Sequence, residues 1–203
     1  MFEGGQGIAL PAIPEFLTAV TVESGEVVDV IYEPSEGTRR WMDFVHRARE
    51  VRALRAVAAS SSREGTFALE GEDALEVARR LQYAKTVDPA LAIYAAYTYA
   101  EHGRRDLIRK MHAYMRDDLG EAFFDVALLA RERSGGDYAP GDGLLGFAPL
   151  LAQGWALLPA SRMTLPPSLH DLAAHVLPSS LWTMYDAGGV DRIRNAFAMG
   201  DLT

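Results

Sequence analysis

The chain has 203 residues, 49% of them hydrophobic, a formal net charge of −8 and no cysteine. That length and apolar content suffice for one buried core with at most a small appendage. The acidic balance argues against nucleic acid or an anionic membrane as the main partner, and the missing cysteine removes disulfides, thiolate metal ligands and a cysteine nucleophile together.

Residues 1–15 contain three glycines and two prolines without a periodic apolar pattern, and they read as a flexible lead or linker. They have neither a basic segment nor a long apolar core, so no signal peptide is expected there. From Phe16 to Tyr32, Val20 and Val22 alternate with threonines, and Val28, Val30 and Tyr32 keep the same period of two. The intervening Glu23-Ser-Gly-Glu26 is a turn signal, so this stretch predicts a β-hairpin. Two strands alone are marginal in water, and Thr66-Phe-Ala-Leu69 is the candidate for a third.

A helix is expected from Thr38 to Ser60, with Trp41, Phe44, Val45, Ala48 and Val51 on one stripe. Beyond Val51 the pattern drifts, and Arg52 and Arg55 fall on the Trp41 face of an ideal wheel. Six arginines lie between Arg39 and Arg55 against Asp43 and Glu50, a local charge of +4 on an acidic protein. Glu72 to Lys85 predicts a shorter helix with Leu75, Ala78 and Leu81 inward.

The stretch from Asp88 to Arg133 predicts the centre of the fold. Asp88 suits a helix N-cap, and Pro89 suits the first helical position. The helix that follows is apolar nearly all round, from Leu91 through Ala100, so it must be enclosed by other elements. The next helix carries one stripe of Leu107, Ile108, Met111, Met115 and Leu119. Gly103 and Gly120 stand where helices end in a left-handed residue. No second copy follows at a spacing of about 34 residues, so this is a helical hairpin and not a repeat array.

Residues 134–143 form the clearest loop in the sequence. Phe147, Leu150, Leu151, Gly154, Trp155 and Leu158 then recur with helical spacing, which predicts a helix stopped by Pro159. A further helix is expected from Leu165 to Leu177, and a last one from Val190 to Met199 holding Ile193 and Phe197, after a break at Gly188-Gly189. The longest apolar run, Leu144 to Leu158, is interrupted by Pro149 and Gln153 and falls short of the ~20 residues of a membrane span. The fold class is therefore mainly α, a compact helical domain around a central hairpin, with a small N-terminal β-hairpin that makes it α+β overall. Residues 16–70 form the hairpin-plus-helix unit and 71–203 the helical domain, together one continuous body.

The motifs that could carry chemistry are sparse. Gly141-Asp-Gly-Leu-Leu-Gly146 matches a glycine-rich phosphate loop in spelling, but no strand precedes it. His170 and His175 are five apart and do not stack on one helix face, and His112 near Asp117 and Asp118 is more simply a helix-end cluster. There is no GxSxG elbow. No catalytic residue, cofactor or metal is expected. The best candidate surface is the basic helix start, with Arg39, Arg40, Trp41 and Arg47 as partner-binding residues. The bland alternative is that these arginines lie over the sheet or pair with the 28 acidic residues.

The segments VDPALAIYAAYTYAEHGRRDLIRKMHAYMRDDLGEAFFDVALLA, LLAQGWALLP and LPSSLWTMYDAGG resemble the accessory region C-terminal to the protease domain of some bacterial caspase-like proteins. The likeness covers the chain from about residue 18 onward. It implies a module attached to, or partnered with, a bacterial peptidase. The His-Cys pair of that family has no counterpart here, because cysteine is absent. The expectation is a non-catalytic, cytoplasmic protein-interaction or regulatory module that binds a protein partner such as a peptidase or other effector, and neither nucleic acid nor membrane. The alternative is an enzyme of another type, with its cleft near the 134–146 loop.

Overall fold

The computed structural model describes residues 1–63, 73–131, 143–161, 163–178 and 180–202. The fold is mainly α, with a small antiparallel sheet near the N-terminus. Strands β1 (Phe16–Glu23) and β2 (Glu26–Pro34) form the expected hairpin. Its two-residue turn places Ser24 and Gly25 at φ of 53° and 85°, the left-handed pair that matches strand twist. Thr21 pairs with Asp29 but Val22 pairs with Val27, so Val28 is the extra residue of a bulge. The bulge changes the inner face. Val27, Val30 and Tyr32 are buried, whereas Val28, expected beside Val30, is only partly covered. Helix α1 (Trp41–Arg63) packs on β2, and the outer strand is exposed from Leu17 to Glu23. The expected strand at Thr66–Leu69 lies outside the described residues.

Helices α2 (Asp73–Ala84), α3 (Leu91–Glu101) and α4 (Arg105–Leu119) build the centre. Every residue of α3 from Leu91 to Tyr99 is buried, as its all-round apolar character requires. Ile108, Met111 and Met115 of α4 face it, and Gly103 and Gly120 take left-handed φ values of 69° and 81° after their helices. The Asp88 carboxylate accepts from the Ala90 amide at 3.3 Å and also from the Tyr32 amide at 3.3 Å. It is ion-paired with Arg55, which also meets Asp29 at 3.2 Å. This explains the drift in α1. The inward face is Val51, Leu54, Arg55 and Ala58, while Val45 is exposed. Burial lowers the Arg55 pKa, and Asp29 opposes that shift.

The C-terminal half departs most from the periodic reading. After the short strand β3 (Ala122–Phe123) and helix α5 (Phe124–Ala130), strand β4 (Leu144–Leu145) runs parallel to β3. The expected helix over Phe147–Leu158 is only a 3-10 stretch, Ala152–Leu157, followed by the single turn α6 (Leu158–Ser161). Residues 147–151 are not helical, because the Leu150 and Leu151 amides bond the Asp125 carboxylate at 2.7 and 3.2 Å instead of earlier carbonyls. Leu165–Leu177 likewise breaks into two 3-10 turns, Pro167–Leu169 and Leu172–His175. Helix α7 (Ala187–Met199) starts earlier than expected, with Gly188 and Gly189 inside its first turn. A Cβ at Gly189 would come within 2.7 Å of His175 and 3.0 Å of Tyr185, so glycine here serves close packing and not a break.

Within residues 1–15, expected as a loose lead, the stretch up to Ile13 is pinned to the body. Gly7 and Tyr185 exchange both backbone hydrogen bonds, at 3.0 and 2.8 Å. Ile13 is buried in the main core, and Phe2, Ile8 and Leu10 pack against it. The Tyr32 hydroxyl donates to the Pro11 carbonyl at 3.0 Å. The main core joins these residues to the hairpin, the central helices and Trp182 and Met184. A second cluster gathers Phe147, Trp155, Leu169, Leu172, Tyr185 and α7.

Candidate functional site

At the start of α1 the four expected contact residues part company. Arg40 is buried. Its guanidinium donates to both Asp118 carboxylate oxygens at 3.0 and 2.9 Å, to the Thr86 carbonyl at 2.9 Å, and lies 5.7 Å from the centre of the Phe16 ring. These bonds hold the Asp118 carboxyl below the usual carboxylate range. Arg40 therefore ties β1, α1 and the end of α4 together and offers nothing to a partner. Arg39 remains exposed and reaches the Asp118 backbone carbonyl at 3.3 Å. Trp41 is half-buried, tilted against Phe44 at 5.8 Å. Arg47 lies elsewhere on α1, bonded to Glu50 at 3.1 Å and to the Tyr83 carbonyl at 3.4 Å. Arg39 and Trp41, with exposed Met42 nearby, are what this face leaves accessible.

The larger feature is an apolar cavity of about 530 Å3 between the N-terminal segment, β4 with the residues just after it, and α7. One wall is residues 7–12, the second is residues 144–148, and the third is Val190, Ile193, Arg194 and Phe197 of α7. Close backbone approach shapes the first wall. A Cβ at Gly7 would meet Val190 at 2.9 Å, so only glycine lets this segment cross α7. The second wall is set by the β3–β4 pairing and by Asp125 holding Leu150 and Leu151. Phe147 packs edge-on against Phe197 at 6.4 Å. Phe197 and Met1 stay exposed at the rim. Two charged side chains, Glu121 and Arg194, line the cavity, and neither forms an ion pair with another described residue.

Two further polar groups lie near this site. Asp125 is wholly buried and accepts from the Tyr97 hydroxyl at 2.9 Å as well as from the two amides. Burial pushes its carboxyl up to about 6 against the pull of those donors. All three donors fix backbone or core, so its role is positional. His175 meets Asp186 at 2.9 Å through Nδ1 and receives the Arg192 Nε–H on Nε2 at 3.0 Å. Asp186 also caps α7 through the Gly189 amide at 2.8 Å. Both ring nitrogens are thus engaged in holding the helix start. No group of three or more metal-binding side chains occurs among the described residues. No described helix is long and apolar enough to cross a membrane.

Most of the 134–146 loop expected to border a cleft, residues 134–142, lies outside the described residues, and so does the first part of the glycine-rich Gly141–Gly146 match. The cavity opens at the far end of that stretch, from Leu144 onward. Sequence reading missed its other walls. Ile8 and Leu10 do alternate around Ala9, but so short an alternation ahead of a proline does not stand out from a linker. Compared with family models, curated proteins and solved structures, the chain matches none.

Proposed function

We propose that this chain is a non-catalytic protein-interaction or regulatory module whose apolar cavity holds its partner, with Arg39 and Trp41 as a second, smaller contact. The supporting observation is the cavity itself. Its volume suits a bound group, yet its lining is apolar, with exposed Met1 and Phe197 at its rim. An enzyme site would gather several convergent polar groups, whereas unpartnered apolar surface is what a docking module retains. The sequence resemblance makes a bacterial caspase-like peptidase the partner to test first, in a reducing cytoplasm that the cysteine-free composition suits.

The experiment is a binding titration of the purified chain with a purified bacterial caspase-like peptidase domain. Phe197→Glu places a charge at the cavity rim on a half-exposed residue and gives up its edge-on contact with Phe147, so a thermal melt of the variant accompanies the titration to check that it is folded. Saturable binding is expected, weakened by about tenfold or more in Phe197→Glu. Equal affinity of the variant would remove the cavity from the interaction. Steady turnover of a peptide or ester substrate by the chain alone would favour the enzyme reading.

A further inference from the structure

We infer that the occupant of this cavity is an extended peptide segment, paired through its main chain with Ile8–Leu10 and carrying apolar side chains flanked by one acidic residue that meets Arg194. This rests on the proposed interaction role and names the chemistry of the partner. Gly7 is the last residue of the first wall whose backbone is paired, with Tyr185. The amides and carbonyls of Ile8, Ala9 and Leu10 make no hydrogen bond with any described residue. Beyond them the Pro11 carbonyl is taken by Tyr32. The segment also has the alternation of a strand. Ile8 and Leu10 pack on the main core, while Ala9 between them packs on the second cluster. Pro11 biases Leu10 toward extended backbone as well.

A strand-like wall with unpaired main-chain groups discriminates between occupants. An aliphatic chain would fill the apolar space but leave those amides and carbonyls without partners. A helix satisfies its own backbone and would leave them unpaired too. An extended peptide satisfies them and sends alternate side chains into the cavity. Charge fixes its polarity. Arg194 and Glu121 both line the cavity without an ion-pair partner among the described residues; Arg194 on α7 selects a carboxylate at one end of the peptide, and Glu121 just before β3 disfavours a second carboxylate on its side.

The probe is a fluorescein-labelled peptide of alternating leucine and threonine with one terminal aspartate, titrated by anisotropy against the full chain. Three controls accompany it: the same peptide with lysine for aspartate, the same peptide N-methylated on alternate amides, and dodecanoate as a competitor. Saturable binding is expected, about tenfold weaker for the lysine and N-methylated forms. Arg194→Glu should reverse the preference between aspartate and lysine peptides, a readout that mere damage to the fold would not give. Backbone amide signals of Ile8–Leu10 should shift on binding and become protected from exchange. Equal binding of the N-methylated peptide, or displacement by dodecanoate with no protection of Ile8–Leu10, would overturn the main-chain pairing. Absence of saturable peptide binding would overturn it as well. If Phe197→Glu still abolishes peptidase binding in that case, the docking role stands and the extended mode alone fails. If peptides bind as described while the peptidase titration is unaffected by Phe197→Glu, the reverse holds.

Discussion

Asp125 has no contact with solvent, and two of its three hydrogen bonds hold the amides of Leu150 and Leu151 while the third comes from the Tyr97 hydroxyl. Burial pushes its carboxyl up to about 6 in the folded protein, against an ordinary value of about 3.9. A raised folded value means that its contribution to stability is full below about pH 4 and is lost as pH rises through about 6. Asp118 has the opposite sign. Its lowered value makes its contribution present above about pH 4 and lost only on stronger acidification. Urea denaturation of the wild type and of Asp125→Asn between pH 7 and pH 4.5 therefore isolates Asp125. The stability difference should move in favour of the wild type on acidification, by on the order of 2 kcal/mol. A pH-independent difference would place the titration elsewhere. Arg40 and Arg39 form a second contrast between neighbours. Arg40→Glu leaves Asp118 facing a like charge and should cost about 3 kcal/mol or more, whereas Arg39→Glu should change stability by less than about 0.5 kcal/mol. Paired chemical denaturation curves check both. Trp155 is buried against Tyr185 and donates to the Thr183 hydroxyl at 3.0 Å, so Trp155→Ala should cost about 3–5 kcal/mol in the same assay.

At the scale of elements, the hairpin, α3, α4 and the end of α7 could be read from the sequence because local signals and tertiary packing agree there. The Ser24-Gly25 turn, the all-apolar run from Leu91 and the glycines after α3, α4 and α7 each act within a few residues. What could not be read depends on distant partners. The inward face of α1 turns at Arg55 because Asp29 and Asp88 wait for it, and no pattern within the helix shows that. Residues 147–151 have helical spacing but lose their helical bonds to Asp125, more than twenty positions earlier. Two cavity walls come from a segment that reads as a linker and from β4 with the residues just after it, so the site was the least legible part of the protein. The N-terminal segment gives the corresponding prediction. Removal of residues 1–13 would strip Ile13 from the core and leave Tyr185 without its backbone partner. A single substitution probes the same attachment in the full-length chain. Gly7→Val forces a side chain onto Val190 and should lower the melting temperature by several degrees. An unchanged melt would mean that the segment contributes little to stability.

At the scale of the molecule, two exposed basic groups of an acidic chain stand at the two candidate contact regions. Arg39 lies at the start of α1 and Arg194 on α7 at the cavity. A partner that touches both would carry acidic groups flanking an apolar segment, and its association should slow as salt is raised. Arg39→Glu and Arg194→Glu should each reduce the association rate constant with the peptidase domain at low salt, with smaller differences at high salt, measured by stopped-flow fluorescence. Rates that do not respond to salt or to either substitution would show that charge does not guide the encounter. The main cluster of the core and the one behind the cavity also differ in origin. The main one draws on residues from Ile13 to Met184, while the second, which backs the cavity, is built almost wholly from residues after Gly146.

The pairing of Gly7 with Tyr185 sets an order of events during biosynthesis. A ribosome releases the chain from its N-terminal side onward, so Ile8 and Leu10 emerge long before α7 exists to meet them. The hairpin and the central helices can form in that interval, but the cavity cannot, since two of its three walls are made after residue 143. Until translation passes Met199, the early segment presents its apolar side chains and unpaired amides to whatever is nearby, including chaperones and neighbouring nascent chains. The cavity is thus complete only once α7 has been made, and whatever occupies it meets chains whose synthesis has run through α7.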